Sequence, residues 1–375
     1  MKIKSIYIKK EKALKDIDIS FEKNKKILNT VIIAGSNGSG KTTVLESIYE
    51  HLDKYGLFSE ENPVSFKFEG KEKNLLKNYK KSKKNTKDRE DERLPKIIYM
   101  PTELTFKKLK TRTTALKQEY KFLNRIDSKL IDDIPSYIAT RIIETANSCE
   151  DLTMKQAREK VFEEINSIFG VLRLNVKLSG ISKDAESMPI FIDNSGAEFD
   201  INGLSSGEKQ LFLRTLAIKM LNPVNSVILI DEPESSLHPK WQQRIVKVFE
   251  GIGENNQIIM ATHSPHILGS VSKENIILLL KEKKGRVEAK TGDELYDSYG
   301  QPVGRILEDI MGLETDRNPE VYEELEEVRI LVRENKYDTK EFRNRMKKLE
   351  KELGADNEDL FLIKMDIQIR KKGGI

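Results

Sequence analysis

The sequence predicts an α/β fold, with a largely parallel core sheet, an antiparallel β subdomain, a helical lobe and carboxyl-terminal helices. Three observations predict this fold. Short apolar runs rich in β-branched residues recur along the chain, as at residues 31–34, and they are typical of strands buried on both faces. Segments of helical periodicity alternate with these runs, which favours parallel strands joined by helices. The first thirty residues instead alternate apolar and polar side chains, which indicates short antiparallel strands.

The predicted elements follow one another along the chain. Buried strands are predicted at residues 31–34, 97–100, 227–230, 258–261 and 276–280, and further strands at 172–178, 190–193 and 198–201. Helices are predicted at residues 41–52, over 105–170, from Ser206, after Pro239 and from Pro319 to the end. Thr153 and Gln156 have capping-box spacing, and Gly170 is a typical helix end.

Composition limits the class of protein. Of the 375 residues, 38% are hydrophobic and 34% are charged, which suits a water-facing globular chain. We find no apolar run of the roughly 20 residues that a membrane-spanning helix needs, and the first ten residues do not resemble a signal peptide. A single cysteine, Cys149, excludes an internal disulfide and fits a reducing compartment. A cytoplasmic protein without membrane contact is therefore expected.

Residues 71–87 form a local basic run, although the net charge of the chain is only +4. The run contains eight lysines and a single acid, Glu72. Such blocks usually lack the apolar residues that folding needs, so a solvated insertion is the simpler interpretation. The alternative is a salt-sensitive contact with a nucleic-acid phosphate backbone, which would not depend on sequence.

A glycine-rich loop lies between the first buried strand and the following helix. It matches G-x-x-x-x-G-K-[ST] at every position, and the binding residues predicted here are Gly35, Ser36, Asn37, Gly38, Ser39, Gly40, Lys41, Thr42 and Thr43. Glycines allow backbone N–H groups to approach phosphate oxygens, and the helix directs its positive end at them. Lys41 supplies a point charge to the phosphates, and Thr42 supplies a hydroxyl to Mg²⁺. The sequence therefore predicts ATP and Mg²⁺ as cofactors.

Two later strands end in residues that suit the same site. Residues 227–232 form an apolar strand ending in Asp231 and Glu232, which is a Walker B pattern. Asp231 is predicted to hold Mg²⁺, and Glu232 to polarise the attacking water. The strand at residues 258–261 leads to His263, predicted to sense the γ-phosphate. His266 is interpreted as structural.

Residues 204–210, LSSGEKQ, resemble the signature motif of ABC-type ATPases. The order of loop, signature, Walker B and histidine matches that superfamily and implies an ABC ATPase fold. In the family, Ser206 and Gly207 contact the γ-phosphate of ATP bound to the opposite subunit. A Ser-Gly pair at a helix start offers a hydroxyl and free N–H groups, which agrees with that role. The resemblance therefore implies a dimer closed around nucleotide, or a higher oligomer built from it.

The segments EPESSLHP at residues 232–239 and THSPHIL at 262–268 narrow the resemblance. They are similar to soluble ABC ATPases related to RecF and to OLD-type nucleases, whereas transporter subunits usually carry aspartate at the position of His238. Over its length the chain resembles the AAA_21-like ATP-binding proteins, a group that includes the ATPase subunit of the Septu anti-phage system.

One position departs from the ABC pattern. A glutamine that reports on Mg²⁺ and the attacking water normally follows the strand predicted at residues 97–100. Here the sequence is Pro101, Thr102, Glu103. Either Glu103 substitutes for the glutamine or its role is lost, and slow ATP hydrolysis is expected.

Four segments are predicted. Residues 1–104 form the first part of the ATPase core with the phosphate loop and the lysine-rich insertion, and 105–170 form the helical lobe. Residues 171–318 form the second part of the core, and 319–375 the charged carboxyl-terminal helices. The apolar stripes of these last helices, Val321–Leu325–Val328 and Phe342–Met346–Leu349–Leu353, are interpreted as internal core, with docking of a partner protein as the alternative.

Two functions remain open. The first is an ATP-driven switch that regulates an effector, such as an HNH nuclease in bacterial anti-phage defence. The second is a repair or recombination ATPase of the RecF or SMC-like kind that binds duplex DNA. A transporter subunit fits poorly, and the scattered acids after His263, such as Asp293 and Asp309, do not indicate a nuclease site.

Overall fold

The computed structural model describes residues 1–54, 63–68, 94–104, 109, 120–148, 152–182, 188–282 and 285–373. The chain divides into two compact units, residues 1–306 and 307–375. The lysine-rich run at residues 71–87 and Cys149 lie outside the described residues. None of the described helices is long and apolar enough to cross a membrane.

The described strands all belong to the first unit. In chain order they are β1 (Ser5–Glu11), β2 (Leu14–Ser20), β3 (Glu22–Lys23), β4 (Lys26–Ile27), β5 (Thr30–Gly35), β6 (Val64–Lys67), β7 (Ile97–Met100), β8 (Leu123–Arg125), β9 (Val176–Ile181), β10 (Pro189–Asp193), β11 (Glu198–Asp200), β12 (Val227–Asp231), β13 (Gln257–Thr262), β14 (Ile276–Lys281) and β15 (Val287–Thr291).

The described α-helices are distributed over both units. They are α1 (Lys41–Lys54), α2 (Ser128–Asp132), α3 (Ile134–Asn147), α4 (Met154–Phe169), α5 (Ser206–Met220), α6 (Pro239–Gln242), α7 (Ile245–Glu250), α8 (Pro265–Leu268), α9 (Val303–Arg305), α10 (Pro319–Arg333), α11 (Lys340–Leu353) and α12 (Glu358–Gly373).

The central sheet runs in the order β15-β14-β5-β13-β12-β7-β8. All neighbouring strands are parallel except β14 and β15, which pair antiparallel at the edge. Every residue of β5, β7, β12 and β13 is buried, because these continuous apolar strands are covered on both faces. The carboxyl ends of β5, β12 and β13 lie side by side and carry the phosphate loop, Asp231 and Thr262. The predicted α/β fold is confirmed.

Three smaller antiparallel sheets complete the described strands of this unit: β2-β1-β6, β11-β10-β9 and the two-stranded β3-β4. The structure differs from the prediction at two places. Residues 105–170 are not entirely helical, because β8 joins the central sheet beside β7; its half-buried Leu-Asn-Arg sequence carries no apolar run that would predict a strand. The strand predicted from residue 172 begins at Val176, because Gly170–Leu172 form a 3₁₀ turn and Arg173 has a φ of 51°.

The second unit contains the three helices α10, α11 and α12. Their shared core includes both apolar stripes predicted for this region, so these stripes are internal core and not a docking face. Its buried members are Leu325, Val328, Leu331, Val332, Phe342, Met346, Leu349, Leu360 and Ile363. Four large apolar side chains of α12 remain exposed instead: Phe361, Leu362, Met365 and Ile369.

Candidate nucleotide-binding site

The loop between β5 and α1 requires glycine at its turning points. Gly35 has a φ of 148°, and a Cβ there would lie 2.5 Å from the carbonyl oxygen of Leu279. Gly40 has a φ of 98°, and a Cβ there would lie 2.5 Å from the side chain of Leu14. Gly38, at a φ of 76°, faces open space. The loop is thus held tightly at both ends, and its exposed middle leaves the backbone accessible to a ligand.

The polar side chains of the loop suit an anion. The Lys41 ammonium is buried and donates to the carbonyl oxygens of Gly35 at 2.9 Å and Ser36 at 3.1 Å. Burial lowers the pKa of Lys41, although the nearby Glu232 opposes the shift. Among the described residues, the buried Ser39 hydroxyl has no hydrogen-bond partner. A phosphate would supply both a counter-charge and hydrogen-bond acceptors.

The remaining loop residues divide by exposure. Ser36, Asn37, Gly38 and Thr42 are exposed, whereas Thr43 is buried under the first turn of α1.

Thr42 and Asp231 form the pair expected of a magnesium site. The Thr42 hydroxyl lies 3.1 and 3.0 Å from the two carboxylate oxygens of Asp231. Burial raises the pKa of Asp231, and hydrogen bonds from Thr42 and Thr102 partly offset this. In the described part of the chain, no cluster of three or more His, Cys, Asp or Glu side chains could hold a metal alone. One hydroxyl and one carboxylate therefore fit Mg²⁺ that takes its other ligands from water and phosphate.

Glu232 and His263 meet at the ends of the adjacent strands β12 and β13. His263 Nδ1 lies 3.3 Å from a Glu232 carboxylate oxygen and 3.6 Å from one of Glu234. Glu232 has a φ of 46°, a left-handed conformation that turns the chain at the end of β12. The side chain of His263 is about half exposed, so a reactant can reach the pair.

Glu234 supports this pair, a role that the sequence did not reveal. Its Oε1 accepts hydrogen bonds from the Thr262 hydroxyl at 2.6 Å and from the His263 backbone N–H at 2.9 Å. The side chain is 6% exposed, and its Oε2 has no partner among the described residues. Glu234 thereby fixes the turn that presents His263. The sequence feature that could have indicated this role is the position of Glu234, a second acid directly after Glu232-Pro233.

Arg214 is the second residue that sequence reasoning missed. It lies in α5 at 4% exposure, and its guanidinium donates to the backbone carbonyls of Glu232 at 3.4 Å and of Thr102. Burial lowers its pKa, and the acids Glu234, Asp231 and Glu232 oppose that shift. One arginine thus connects α5 to the turn at Glu232 and to the segment that follows β7. The sequence feature that could have indicated a buried role is that Arg214 is the only charged residue within the largely apolar stretch at residues 211–218.

Thr102 occupies the region where the ABC glutamine was expected. Its hydroxyl hydrogen-bonds to Asp231, whereas Glu103 is exposed. A short hydroxyl side chain thus contacts the predicted metal ligand in place of a long amide.

The signature residues stand at the start of α5. Ser205 caps this helix through a capping box with Glu208, in which the Ser205 N–H donates to Glu208 at 3.1 Å. Ser206 is exposed at the first helical position, and Gly207 is buried. A Cβ at Gly207 would lie 2.8 Å from the Ser236 carbonyl oxygen, so only glycine fits there. The helix therefore presents Ser206 with the free N–H groups of its first turn.

Tyr7, considered for stacking on adenine, is 38% exposed and donates to Asp16 at 3.1 Å. That role stays a prediction.

The chain is similar to a known protein family, to named relatives and to solved structures. The family described as "AAA domain, putative AbiEii toxin, Type IV TA system" matches residues 76–269. The Septu protein PtuA of Bacillus thuringiensis is 26% identical over 332 residues, which cover 79% of this chain and 82% of that protein. The Retron Vc95 probable ATPase of Vibrio cholerae serotype O1 biovar El Tor is 31% identical over 231 residues, covering 57% of this chain and 42% of that protein.

Among solved structures, an Smc head bound to the C-winged helix domain of ScpA matches with a TM-score of 0.42 and 14% sequence identity, covering 78% of this chain and 98% of that chain. The present chain thus spans most of PtuA but less than half of the retron ATPase.

Proposed function

This chain belongs to the AAA_21 family and hydrolyses ATP, and from that premise we propose that it acts as a nucleotide-gated switch. In this proposal two copies close around two ATP molecules, and hydrolysis reopens them. The observation that carries the proposal is the placement of two pairs at the carboxyl edge of the central sheet. Thr42 lies within hydrogen-bond distance of Asp231, and Glu232 lies within ion-pair distance of His263.

The first half of the site lies within one chain. Lys41 and the loop N–H groups bind the phosphates, and Thr42 and Asp231 hold Mg²⁺, which when bound would neutralise charge on the phosphate oxygens. Glu232 orients the attacking water and accepts its proton. His263, held beside Glu232, donates to the γ-phosphate and so makes the arrangement dependent on ATP.

The second half comes from the partner copy in this proposal. The exposed Ser206 and the free N–H groups at the start of α5 bind the γ-phosphate of the opposite ATP, as the ABC resemblance implies. Arg214 then couples the two half-sites of one chain, because it joins the helix that contacts one nucleotide to the turn that hydrolyses the other. Thr102 in place of glutamine supports slow turnover, since a long amide that could follow the water is missing.

A switch needs something to regulate, and the relatives suggest what that is. Both the Septu protein and the retron ATPase carry names of bacterial defence systems. We therefore propose that the ATP-bound dimer controls an effector protein in anti-phage defence, with a nuclease such as an HNH enzyme as the expected class. A cytoplasmic location remains a prediction from the sequence.

The test uses Glu232→Gln, which keeps the shape of the side chain but removes its basic carboxylate. ATP should then persist uncleaved and hold the dimer, with turnover reduced by about 10²–10⁴-fold. Mass measurement of the full chain with saturating ATP should show a dimer that is absent without nucleotide. The matched control combines Glu232→Gln with Ser206→Arg, which should bind ATP but fail to dimerise through the signature face. A Glu232→Gln variant that stays monomeric while ATP-bound would overturn the proposal.

Duplex DNA binding is the second candidate function, and the eight lysines of residues 71–87 favour it. Binding of this kind should weaken steeply with salt, because it releases counterions from the phosphate backbone. Deletion of residues 71–87 should abolish it while ATP hydrolysis continues. Retention of DNA binding by the deletion variant would exclude this run as the contact.

A further inference from the structure

Helix α12 has two opposite apolar faces. One face is buried in the second unit, where Leu360 and Ile363 belong to its core and Ile367 packs against it. The other face carries Phe361, Leu362, Met365 and Ile369, which are 62%, 47%, 44% and 59% exposed. At about 100° per residue, the two faces point in opposite directions. A contiguous exposed apolar stripe of this kind marks an interaction surface.

The charges of α12 separate into two groups. Most are engaged within the unit: Asp359 pairs with Arg317 and Arg329, Lys364 with Glu350, Lys371 with Asp338, and Arg370 with Asp366. Glu358 and Lys372 are exposed and have no ion-pair partner in the described residues. Each is seven residues from Met365. Because seven residues make about two full helical turns, both lie on the same face as the exposed stripe.

The exposed face is symmetric about Met365 except at one position, because the counterpart of Leu362 is Gln368. Phe361 and Ile369 lie four residues before and after it, about one turn away, and Glu358 and Lys372 lie seven residues before and after it. When two copies of α12 pack antiparallel with Met365 against Met365, Phe361 faces Ile369 of the second copy. Glu358 then faces Lys372 of the second copy at both ends. An isologous two-fold interface requires this self-complementarity.

We propose that the exposed face of α12 binds the same face of a second copy of this chain in an antiparallel helix pair. The face of α12 supplies apolar contacts along its centre and an opposite-charge pair at each end. An acid and a base at equal distances from one central residue are what two antiparallel copies of the same face require. The contact uses none of the residues assigned to nucleotide, so it forms without ATP and is independent of the proposed switch.

Together with a nucleotide-closed dimer, this contact would join dimers into larger assemblies. The helix is about 24 Å long, so the contact is small compared with a stable standard interface. We therefore expect micromolar self-association, strengthened when a second contact links the same copies.

The first test measures the mass of the full chain by sedimentation without nucleotide across micromolar concentrations. The wild-type chain should associate, and Met365→Glu should weaken this at least tenfold, because two like charges would face each other at the symmetry axis. Ile330→Glu is the matched control, since Ile330 is exposed in the same unit but lies on α10. Circular dichroism should show both variants folded. A monomeric wild-type chain, or association unchanged by Met365→Glu, would overturn the proposal.

A charge exchange separates self-pairing from binding of another protein. Glu358→Lys alone should weaken association several-fold, and so should Lys372→Glu alone. The double variant should restore it, because each helix end again meets its opposite charge. Failure of the double variant to recover association contradicts antiparallel pairing.

Cross-linking gives a geometric readout. In a Cys149→Ser background, which removes the single native thiol, Met365→Cys should oxidise to a disulfide-linked dimer. Lys364→Cys, on the neighbouring face, should not cross-link comparably, and equal cross-linking of both variants would exclude the proposed register. Since these measurements need no ATP, their failure is distinguishable from failure of the nucleotide switch.

Discussion

The candidate nucleotide site and helix α12 differ in which kind of side chain they bury and which kind they expose. The site gathers buried charges, with Lys41, Arg214 and Asp231 all below 8% exposure, whereas α12 leaves large apolar side chains in water. Buried charge is costly unless it is paired or hydrogen-bonded, so a cluster of it indicates chemistry. Exposed apolar area is stabilised by a partner surface, so it indicates assembly. In the two proposals, catalysis and one mode of self-association therefore reside in different units of the same chain.

Asp231→Asn tests whether ATP hydrolysis can be lost without losing self-association, and it has the largest expected effect on turnover. The substitution keeps the size of the side chain but removes the negative charge that would hold Mg²⁺, a contribution of several kcal/mol. ATP turnover at saturating Mg²⁺ should fall about 10³-fold. Nucleotide-free association through α12 should not change.

The matched control is Asp293→Asn, at a highly exposed acid of the same unit, which should hydrolyse ATP normally. If Asp231→Asn also lost nucleotide-free association, the nucleotide site and the exposed face of α12 would not be independent.

Leu349→Ala tests the converse, namely whether self-association can be weakened without loss of ATP hydrolysis. Leu349 is fully buried in the core of the second unit, and its truncation should destabilise that unit by about 3 kcal/mol. Thermal unfolding followed by circular dichroism should show the loss, and association should weaken because α12 shares this core. ATP turnover measured below the unfolding transition should remain normal. A proportional fall in turnover would show that the two functions are not separable.

Arg214→Met has the smallest expected effect and tests whether Arg214 positions the turn at Glu232. It preserves most of the side-chain volume but removes the donors to the carbonyls of Thr102 and Glu232. Unpaired buried carbonyls cost about 1–3 kcal/mol, so the turn at Glu232 should shift to pair them with water. If this shift raises the activation barrier by about 1.4 kcal/mol, kcat should fall about tenfold. ATP affinity should change little, because Arg214 does not belong to the phosphate loop.

Arg214→Lys should recover part of the rate, since a single cation can reach one of the two carbonyls. If KM rose while kcat stayed constant, Arg214 would be a binding residue instead of a positioning residue.

The strands that form the edge of the candidate site could be predicted from the sequence because their determinants are local. The continuous apolar run of β7 predicted a strand over residues 97–100, and the structure has the strand there. Likewise, the loop motif, Asp231 and Glu232 each lie at the carboxyl end of a buried strand, so parallel pairing places them at the same edge of the sheet.

The residues that were missed depend on contacts between distant segments. Arg214 gains its role only when α5 packs beneath the turn at Glu232, and no spacing in the sequence shows that contact. The exposed face of α12 was hidden for a different reason. A helix with apolar residues on two opposite faces has no single stripe, so periodicity could not show which face the neighbouring helices leave uncovered.

The left-handed backbone at Glu232 has a consequence for how this protein can change over time. Residues other than glycine, asparagine and aspartate adopt this conformation at a cost of about 1–2 kcal/mol, and here it also places a carboxylate close to Asp231 and Glu234. Replacing this glutamate with asparagine should therefore raise the thermal stability of the chain. In the proposed mechanism the same replacement removes the carboxylate that activates water, so a gain in stability would be accompanied by a loss of ATP hydrolysis.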